Sequence, residues 1–249
     1  MEFYSELKDR FSRLVRENRI DTDAIMIKTR AMTVEEAIGI TERKDFPIKT
    51  GSDVMIEADY LGEKGQAFTD APVAFKGNLD DVCNLDIESN PYDRGIFIAS
   101  LNAVMKKLGL IECSVHCRNE GPEKCSYDAL DYLVSTYGKD IRIGQIGYQP
   151  AMFERLSGVY EMRICDLDPQ NIGKVKNGVA VEDGSDETRD SICSWADLVL
   201  CTGSTVCNGS IVGFLPYRDK TLFYGTTLAG TAALMNLKRL CFADKYSLL

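Results

Sequence analysis

Three glycine-bearing turns in the C-terminal half of the chain constrain its fold more than any other feature. They read GYQPAMF from Gly147, CTGSTVCNGS from Cys201 and YGTTLAGT from Tyr224. Each turn follows a short apolar run and precedes a stretch of helical character, which is typical of parallel strands joined by crossover helices. Turns at the carboxyl ends of parallel strands line one crevice, so the sequence predicts a ligand site at these turns.

Hydrophobic periodicity predicts two regions of different character. The expected strands of the C-terminal region are 141–147, 160–165, 198–201 and 221–224, with a further short strand near 178–181. The N-terminal region has expected helices at 3–15, 78–85 and 91–108, expected strands at 23–28, 53–60 and 66–69, and a hairpin turn at 61–65. We therefore predict an α/β protein with an α+β domain over residues 1–110 and an α/β domain with a parallel sheet over residues 111–249, which begins with a helix at 122–137.

Composition narrows the classes of partner and location. The chain of 249 residues carries 29 basic and 38 acidic residues, a net charge of −9, and its Lys and Arg form no basic stripe. A nucleic-acid partner is therefore not expected. No apolar run reaches the roughly 20 residues that span a bilayer, and the first residues lack the apolar core of a signal peptide, so we expect a cytoplasmic protein without a membrane partner. The nine cysteines are expected to be reduced, because an odd number without a secretory signal argues against a disulfide framework.

The side chains of the strand-end turns indicate the chemistry of the predicted site. Helix N-termini and glycine turns offer backbone amides to an anion, and Ser, Thr and Asn add further donors. Asp166 and Asp168 follow the second expected strand, where an acid often binds a ribose and where a carboxylate can hold Mg²⁺. The alternative is that these residues only cap helices and shape turns. The binding candidates on this argument are Asp166, Asp168, Thr202, Gly203, Ser204, Thr205, Asn208, Gly225, Thr226 and Thr227.

A segment rich in cysteine follows the expected domain boundary. It contains Cys113, His116, Cys117 and Cys125, and His116 is the single histidine of the chain. Thiolate and imidazole are the ligands that transition and heavy metals prefer, so His116 and Cys117 are the candidate metal ligands. The segment has no CxxC pair, and small buried thiols are common in protein cores, so a purely structural role remains the alternative.

Several of these motifs together resemble a known family. They are VHCRNEGPEKC from Val115, IGYQPA from Ile146, CDLDPQNIG from Cys165, WADLVLCTGSTVCNG from Trp195 and YGTTLAGTAA from Tyr224. In this order they are similar to the domain of unknown function 364 family, which is associated with heavy-metal chelation. The resemblance implies a Rossmann-like C-terminal domain, an N-terminal domain like the amino-terminal domain of enolases, and a ligand site in the cleft between them. It adds Tyr148 and Gln149 to the binding candidates.

Three functions are compatible with these observations. The first is a heavy-metal chelation or metal-cofactor-handling protein that binds an anionic ligand or a metal complex in the inter-domain cleft, with a transition or heavy metal as the cofactor. The second is an enzyme that acts on a nucleotide-like or phosphorylated small molecule. The third is a non-catalytic sensor or carrier of a small molecule. The sequence leaves open whether the protein is an enzyme and whether it forms a homo-oligomer, because one scaffold serves many functions.

Overall fold

The computed structural model describes residues 2–20, 27–50 and 53–246, which form two sheets and a buried helix that packs against the first of them. The elements of the first half are α1 Glu2–Glu17, β1 Ile27–Ala31, α2 Val34–Ile38, α3 Pro47–Thr50, β2 Val54–Tyr60, β3 Glu63–Thr69, β4 Phe75–Gly77, α4 Leu79–Asn84 and α5 Pro91–Lys107. Those of the second half are α6 Gly121–Tyr137, β5 Arg142–Ile146, α7 Pro150–Ser157, β6 Glu161–Asp166, β7 Val175–Lys176, β8 Val179–Asp183, α8 Asp186–Trp195, β9 Leu198–Thr202, α9 Thr205–Asn208, a 3-10 helix Ser210–Lys220, β10 Thr221–Tyr224, α10 Ala229–Met235, β11 Arg239–Leu240 and α11 Ala243–Tyr246.

The first sheet is antiparallel, with the strand order β3-β2-β1-β4. The predicted hairpin between β2 and β3 is present, and its turn is shorter than expected because Leu61 and Gly62 alone make it. Both have positive φ angles, 51° and 85°, which is the geometry that matches the twist of two hairpin strands. Of the strand expected at 23–28, residues 27–28 belong to β1, and residues 23–26 lie outside the described part of the chain.

The second sheet has the order β11-β10-β9-β5-β6-β8-β7, and all its neighbours run parallel except β7 and β8. The four predicted strands are therefore confirmed, and β8 is the predicted short strand. The chain moves outward from β5 through β6 to β8, then returns to the other side of β5 to form β9. Neighbouring connections diverge at this reversal and leave a crevice beyond the carboxyl ends of the strands.

The connection after β9 differs from the expected helix. The helix α9 has four residues, and the 3-10 helix that follows it contains Gly213 and Pro216. Gly209, with φ of 90°, separates the two. Glycine and proline are the poorest helix formers, so a regular α-helix does not continue through this segment. The helical stretch predicted after β9 is therefore present as the short α9 and a 3-10 helix.

The helix α5 is buried from Arg94 to Met105, with the antiparallel sheet on one side and α9 and α10 on the other. Glycines allow its close approach to β3 and to α10. A Cβ added at Gly65 of β3 would lie 2.2 Å from the backbone nitrogen of Ala103, and one added at Gly230 of α10 would lie 2.8 Å from Leu101 Cγ. One hydrophobic cluster consequently runs through both halves of the protein. Within the described residues, no helix combines the length and apolar character required to cross a membrane.

Asn102 makes the polar connection at the centre of this packing. Its amide nitrogen donates to the carbonyl oxygens of Gln66 in β3 and Thr227 before α10, each at 3.0 Å. Its side-chain oxygen accepts from the Gly230 amide at 2.7 Å. Asn102 is fully buried, so these backbone groups have no access to water as a replacement partner. A single side chain thus joins α5, the antiparallel sheet and the turn that follows β10.

We predict that Asn102→Ala lowers the free energy of unfolding by about 3 kcal/mol, since it leaves several buried backbone groups unpaired at a cost of roughly 1–3 kcal/mol each. Urea denaturation followed by circular dichroism measures this change. Asn18→Ala is the matched control, because Asn18 is exposed and donates one hydrogen bond to Leu14. Its effect should stay within about 0.5 kcal/mol. Equal effects of the two substitutions would contradict the role assigned to Asn102.

Candidate functional site

A cavity of about 400 Å³ lies where the carboxyl ends of β5, β6, β9 and β10 face the end of β3. All the side chains and turns singled out in the sequence line its wall. They are His116, Cys117, Tyr148, Gln149, Asp166, Asp168, Thr202, Gly203, Ser204, Thr205, Asn208, Gly225, Thr226 and Thr227. Residues from the first half complete the wall, among them Ile38, Phe46, Ile48, Asp53, Phe68 and Asp70. The turns of the second half therefore line the cavity with polar groups. The first half lines it with apolar side chains and with the carboxylates of Asp53 and Asp70.

The turn after β5 is held by hydrogen bonds within the protein. Gly147 has a φ of 83°, and a Cβ there would lie 2.7 Å from Thr202 Cγ2, so the position requires glycine for close strand packing. Its amide donates to the Cys165 carbonyl at 2.9 Å, and the Tyr148 amide donates to Asp166 Oδ2 at 2.7 Å. The amides of these two residues are therefore bonded within the protein and are not available to an anion.

Asp166 braces the turns rather than projecting alone into the cavity. In addition to its bond with Tyr148, its Oδ1 accepts from the Asp168 amide at 2.8 Å. Asp168 accepts from the Gln170 amide and begins a turn, so it is not the helix cap that the alternative interpretation predicted. The second oxygen of Asp168 is buried and has no hydrogen-bond partner within the described part of the chain. Asp168 is thus the carboxylate of the pair with an unused acceptor.

The hydroxyl-rich turns after β9 and β10 also satisfy much of their own hydrogen bonding. Thr202 and Ser204 share a hydroxyl hydrogen bond of 2.7 Å, and Thr205 donates to the Thr202 carbonyl at 2.8 Å. Thr227 accepts from the Phe68 amide at 3.0 Å and so fastens the turn to β3. Thr226 differs, because its hydroxyl oxygen has no partner among the described residues although the residue is 2% exposed. Its hydroxyl is available to a bound molecule.

Two acidic residues of the site, Asp53 and Asp70, escaped the sequence analysis. Asp53 comes directly before β2 and Asp70 directly after β3, and Val54 pairs with Thr69 in the hairpin register. The open end of a hairpin brings its two flanking residues together. That register was a signal by which the sequence could have placed the two carboxylates side by side.

The cavity is strongly acidic. The wall carries the carboxylates of Asp53, Asp70, Asp166, Asp168 and Asp186, whereas Arg189 is the basic side chain among its described residues. The Arg189 guanidinium is already paired with Asp186 at 2.6 Å and with Asp190 at 3.1 Å. Burial, and then the nearby charges of Asp70, Asp166 and Asp168, raise the pKa of Asp53 from 3.8 to about 6. The potential in the cavity therefore favours a positively charged guest.

His116 lies on the cavity wall with its ring edge-to-face against Phe68. Its Nδ1 is 2.6 Å from the carbonyl oxygen of Cys117, so Nδ1 carries the proton and donates it. Removal from water lowers the pKa of His116, which keeps the ring neutral near pH 7. In this tautomer Nε2 holds the free lone pair that a metal or a proton would take.

The three cysteines of the segment, Cys113, Cys117 and Cys125, form a cluster with Cys241 around Ala243. A hydrogen bond between the Cys117 and Cys125 thiols, with burial, raises the pKa of Cys117, and the same bond lowers that of Cys125. The corresponding bond to Cys241 lowers the pKa of Cys113 to about 6. Across residues 2–20, 27–50 and 53–246, however, no group of three or more His, Cys, Asp or Glu side chains is arranged to hold a metal ion. The predicted His116 and Cys117 pair lines the cavity without forming such a group.

A segment of the first half, residues 39–50, crosses to the second half beside the cavity, and we call it the strap. Its Arg43 pairs with Glu123 of α6 and Glu154 of α7. Its Asp45 accepts a hydrogen bond of 3.1 Å from the Tyr148 hydroxyl. The strap thereby sets the apolar wall of the cavity against the turn after β5.

The acidic environment of Asp53 predicts how stability depends on pH. The folded protein holds the Asp53 proton more tightly than the unfolded chain. Protonation of Asp53 therefore contributes to the free energy of unfolding at low pH, and this contribution is lost as pH rises through about 6, the pKa of Asp53 in the folded protein. At pH 7.5, Asp53→Asn should be more stable than the parent by on the order of 2 kcal/mol. At pH 3.5 the difference should vanish.

Urea denaturation at several pH values measures both differences, and Asp131→Asn, an exposed residue outside the cavity wall, is the charge-matched control. A gain in Asp53→Asn that does not change with pH would show that its carboxyl has an ordinary pKa.

Comparison with known proteins gives a family match and two structural likenesses. The model of the family described as "Putative heavy-metal chelation", domain of unknown function 364, matches residues 128–234. No curated protein matches the chain. A Pyrococcus horikoshii protein of unknown function from this family has a TM-score of 0.50 at 15% identity, over 89% of this chain and 79% of that one. A Desulfitobacterium hafniense protein, also of unknown function and from this family, has a TM-score of 0.48 at 14% identity, over 74% of this chain and 72% of that one.

At 15% identity, the likeness to the Pyrococcus horikoshii protein concerns the fold alone. The family match spans the chain from α6 to α10 and includes the turns after β5, β9 and β10. Four of the five motifs that carried the resemblance in the sequence lie within the match, and VHCRNEGPEKC, at residues 115–125, lies outside it. Residues 128–234 are thus the part of this chain that is similar to the domain of unknown function 364 family, described as "Putative heavy-metal chelation".

Proposed function

We propose that the protein binds a positively charged metal species, either an ion or a cationic metal complex, in the cavity between an enolase-N-terminal-like domain and a Rossmann-like domain. The observation that carries the proposal is the acidic wall of a cavity of about 400 Å³ at the strand ends of the parallel sheet. Small-molecule sites commonly enclose about 300–1,000 Å³. A bare ion needs far less room, so the volume supports a metal with its own small ligand.

The negative charge of the cavity wall favours one of the two ligand types that the sequence left open, an anionic ligand and a metal complex. A bare anion would meet five carboxylates, and the single lining guanidinium is already occupied by Asp186 and Asp190. The amides of Gly147 and Tyr148, which the anion hypothesis needed, are also bonded within the protein. A cation would relieve the repulsion among the carboxylates around Asp53. These observations favour the metal complex over a simple anionic ligand.

The cavity offers oxygen, nitrogen and sulfur atoms on different sides. Asp53, Asp70 and Asp168 supply carboxylate oxygens, which hard cations prefer. His116 and Cys117 supply imidazole and thiol on the wall near α6, which borderline and soft metals prefer. A complex with a metal centre and polar substituents matches this mixture better than a ligand of one character.

The order of the second sheet supports the Rossmann-like assignment. Counted within this half, β5, β6, β8, β9, β10 and β11 are strands one to six, and their spatial order is 3-2-1-4-5-6. The features that would favour a nucleotide are weaker. The turn after β5 lacks the GxGxxG pattern, and both Asp166 oxygens accept hydrogen bonds from backbone amides of the neighbouring turns. We therefore rank the nucleotide-binding enzyme below the metal-binding protein.

The proposal is tested by the charge of the guest. Nickel is offered as the aqueous ion, as its cationic complex with triethylenetetramine and as its anionic citrate complex, and the melting temperature is measured. A ligand at a hundredfold excess over its dissociation constant adds about 2.7 kcal/mol of stability. We expect the cationic forms to stabilise the protein and the citrate complex to have little effect.

Asp53→Asn/Asp70→Asn should remove most of this stabilisation, because it deletes two neighbouring carboxylates of the cavity. Asp131→Asn, which changes the same charge outside the cavity, should preserve it. Equal stabilisation by all three nickel species, or full retention in the double variant, would rule out the acidic cavity as the binding site.

A further inference from the structure

Four cysteines that are distant in the chain converge at one edge of the cavity. Cys113 and Cys117 lie in the irregular segment before α6, Cys125 lies in α6, and Cys241 follows β11. They pack around Ala243, and none of them is in a disulfide. Buried thiols in a core are usually separated by aliphatic side chains, whereas these four contact one another and form a sulfur-rich cluster.

The four thiols of the cluster form two pairs of neighbours. Cys117 and Cys125 both pack in the cluster and line the cavity, and the Cys113 thiol donates to the backbone carbonyl oxygen of Cys241 at 3.5 Å. Both members of the first pair line the cavity, whereas Cys113 does not. A guest in the cavity can therefore reach both sulfur atoms of the Cys117–Cys125 pair but only one of the other pair.

The local backbone holds this pair in place. Gly121, in the first turn of α6, packs so closely on Cys117 that an added Cβ would lie 2.8 Å from the Cys117 Cβ. Cys125 lies one turn further along the same helix, near the positive end of a helix of 17 residues. The thiolate is the form of cysteine that binds metal.

We propose that Cys117 and Cys125 form a two-sulfur site for a soft, thiophilic metal ion of the copper(I) class. This inference rests on the proposed function, because the ion reaches the thiols through the same cavity. Thiolate ligands select copper(I) over hard cations. A two-coordinate ion is required, because no group of three or more potential ligand side chains among the described residues is arranged to hold a metal. Two sulfur–metal bonds form, any proton on either sulfur is released to solvent, and no electron is transferred.

The test is an anaerobic competition of the reduced full-length protein against the chromogenic chelator bicinchoninate for copper(I). The parent protein should withdraw one equivalent of copper(I). Cys117→Ser/Cys125→Ser should bind it more weakly by at least the roughly 10–100-fold that the loss of an outer-shell partner costs. Cys83→Ser is the matched control, since Cys83 is partly buried and lies outside the cavity wall, and it should bind as the parent does.

Circular dichroism establishes whether the variants fold, and the single variant Cys125→Ser, at a partly buried position, provides a second measurement with less risk to folding. Parent-like affinity in a folded Cys117→Ser/Cys125→Ser or Cys125→Ser protein would overturn the site. Loss of binding in Cys113→Ser/Cys241→Ser alone would also overturn it, because the ligands would then be the other pair. The nickel measurements on the aspartate variants judge the proposed function separately, so the two failures are distinguishable.

Discussion

The packing of α5 between the antiparallel sheet and the helices α9 and α10 is the constraint on which the rest of the structure depends. The helix is buried from Arg94 to Met105, and Asn102 uses both ends of its amide to join β3 to the turn before α10. Gly65 and Gly230 bring their backbones close enough for those bonds. The same contacts fix the distance between the end of β3 and the strand ends of the parallel sheet, and so they define the cavity.

In this site, polar groups that the sequence motifs offer to a ligand instead make hydrogen bonds within the protein. Gly147 permits a close approach, but the neighbour it approaches is Thr202 of β9. Asp166 occupies the position of a ribose-binding acid, yet its oxygens accept from Tyr148 and Asp168. The polar atoms that stay unused, Thr226 Oγ1 and Asp168 Oδ2, are neighbours of the residues that do the bracing. In the proposed function, a guest in this cavity is therefore bound by residues adjacent to the motif glycines and by Asp53 and Asp70 at the open end of the β2–β3 hairpin.

The sequence predicted the architecture well because its signals are local. Apolar runs, glycine turns and the hairpin are readable within a few residues, and the convergence of the turns follows from the general behaviour of parallel sheets. The hairpin register could have placed Asp53 beside Asp70, but their position in the cavity wall depends on how the first half docks, which no local pattern records. Cys241 was missed for the same reason, since only the fold brings it to Cys113. The helical stretch predicted after β9 forms as the four-residue α9 and a 3-10 helix, because Gly209 and Pro216 interrupt a regular α-helix.

The contacts that hold the strap differ from the packing around α5. Its Arg43 meets Glu154, whose side chain is 56% exposed, and Glu123, whose side chain is 35% exposed. Exposed ion pairs contribute little to stability and are screened by salt, whereas the packing around α5 is buried and mostly apolar. Opening of the cavity is therefore expected to occur by release of the strap while the two halves keep their relative position. Entry and exit of a guest would then quicken with ionic strength, although the frame around the cavity stays rigid.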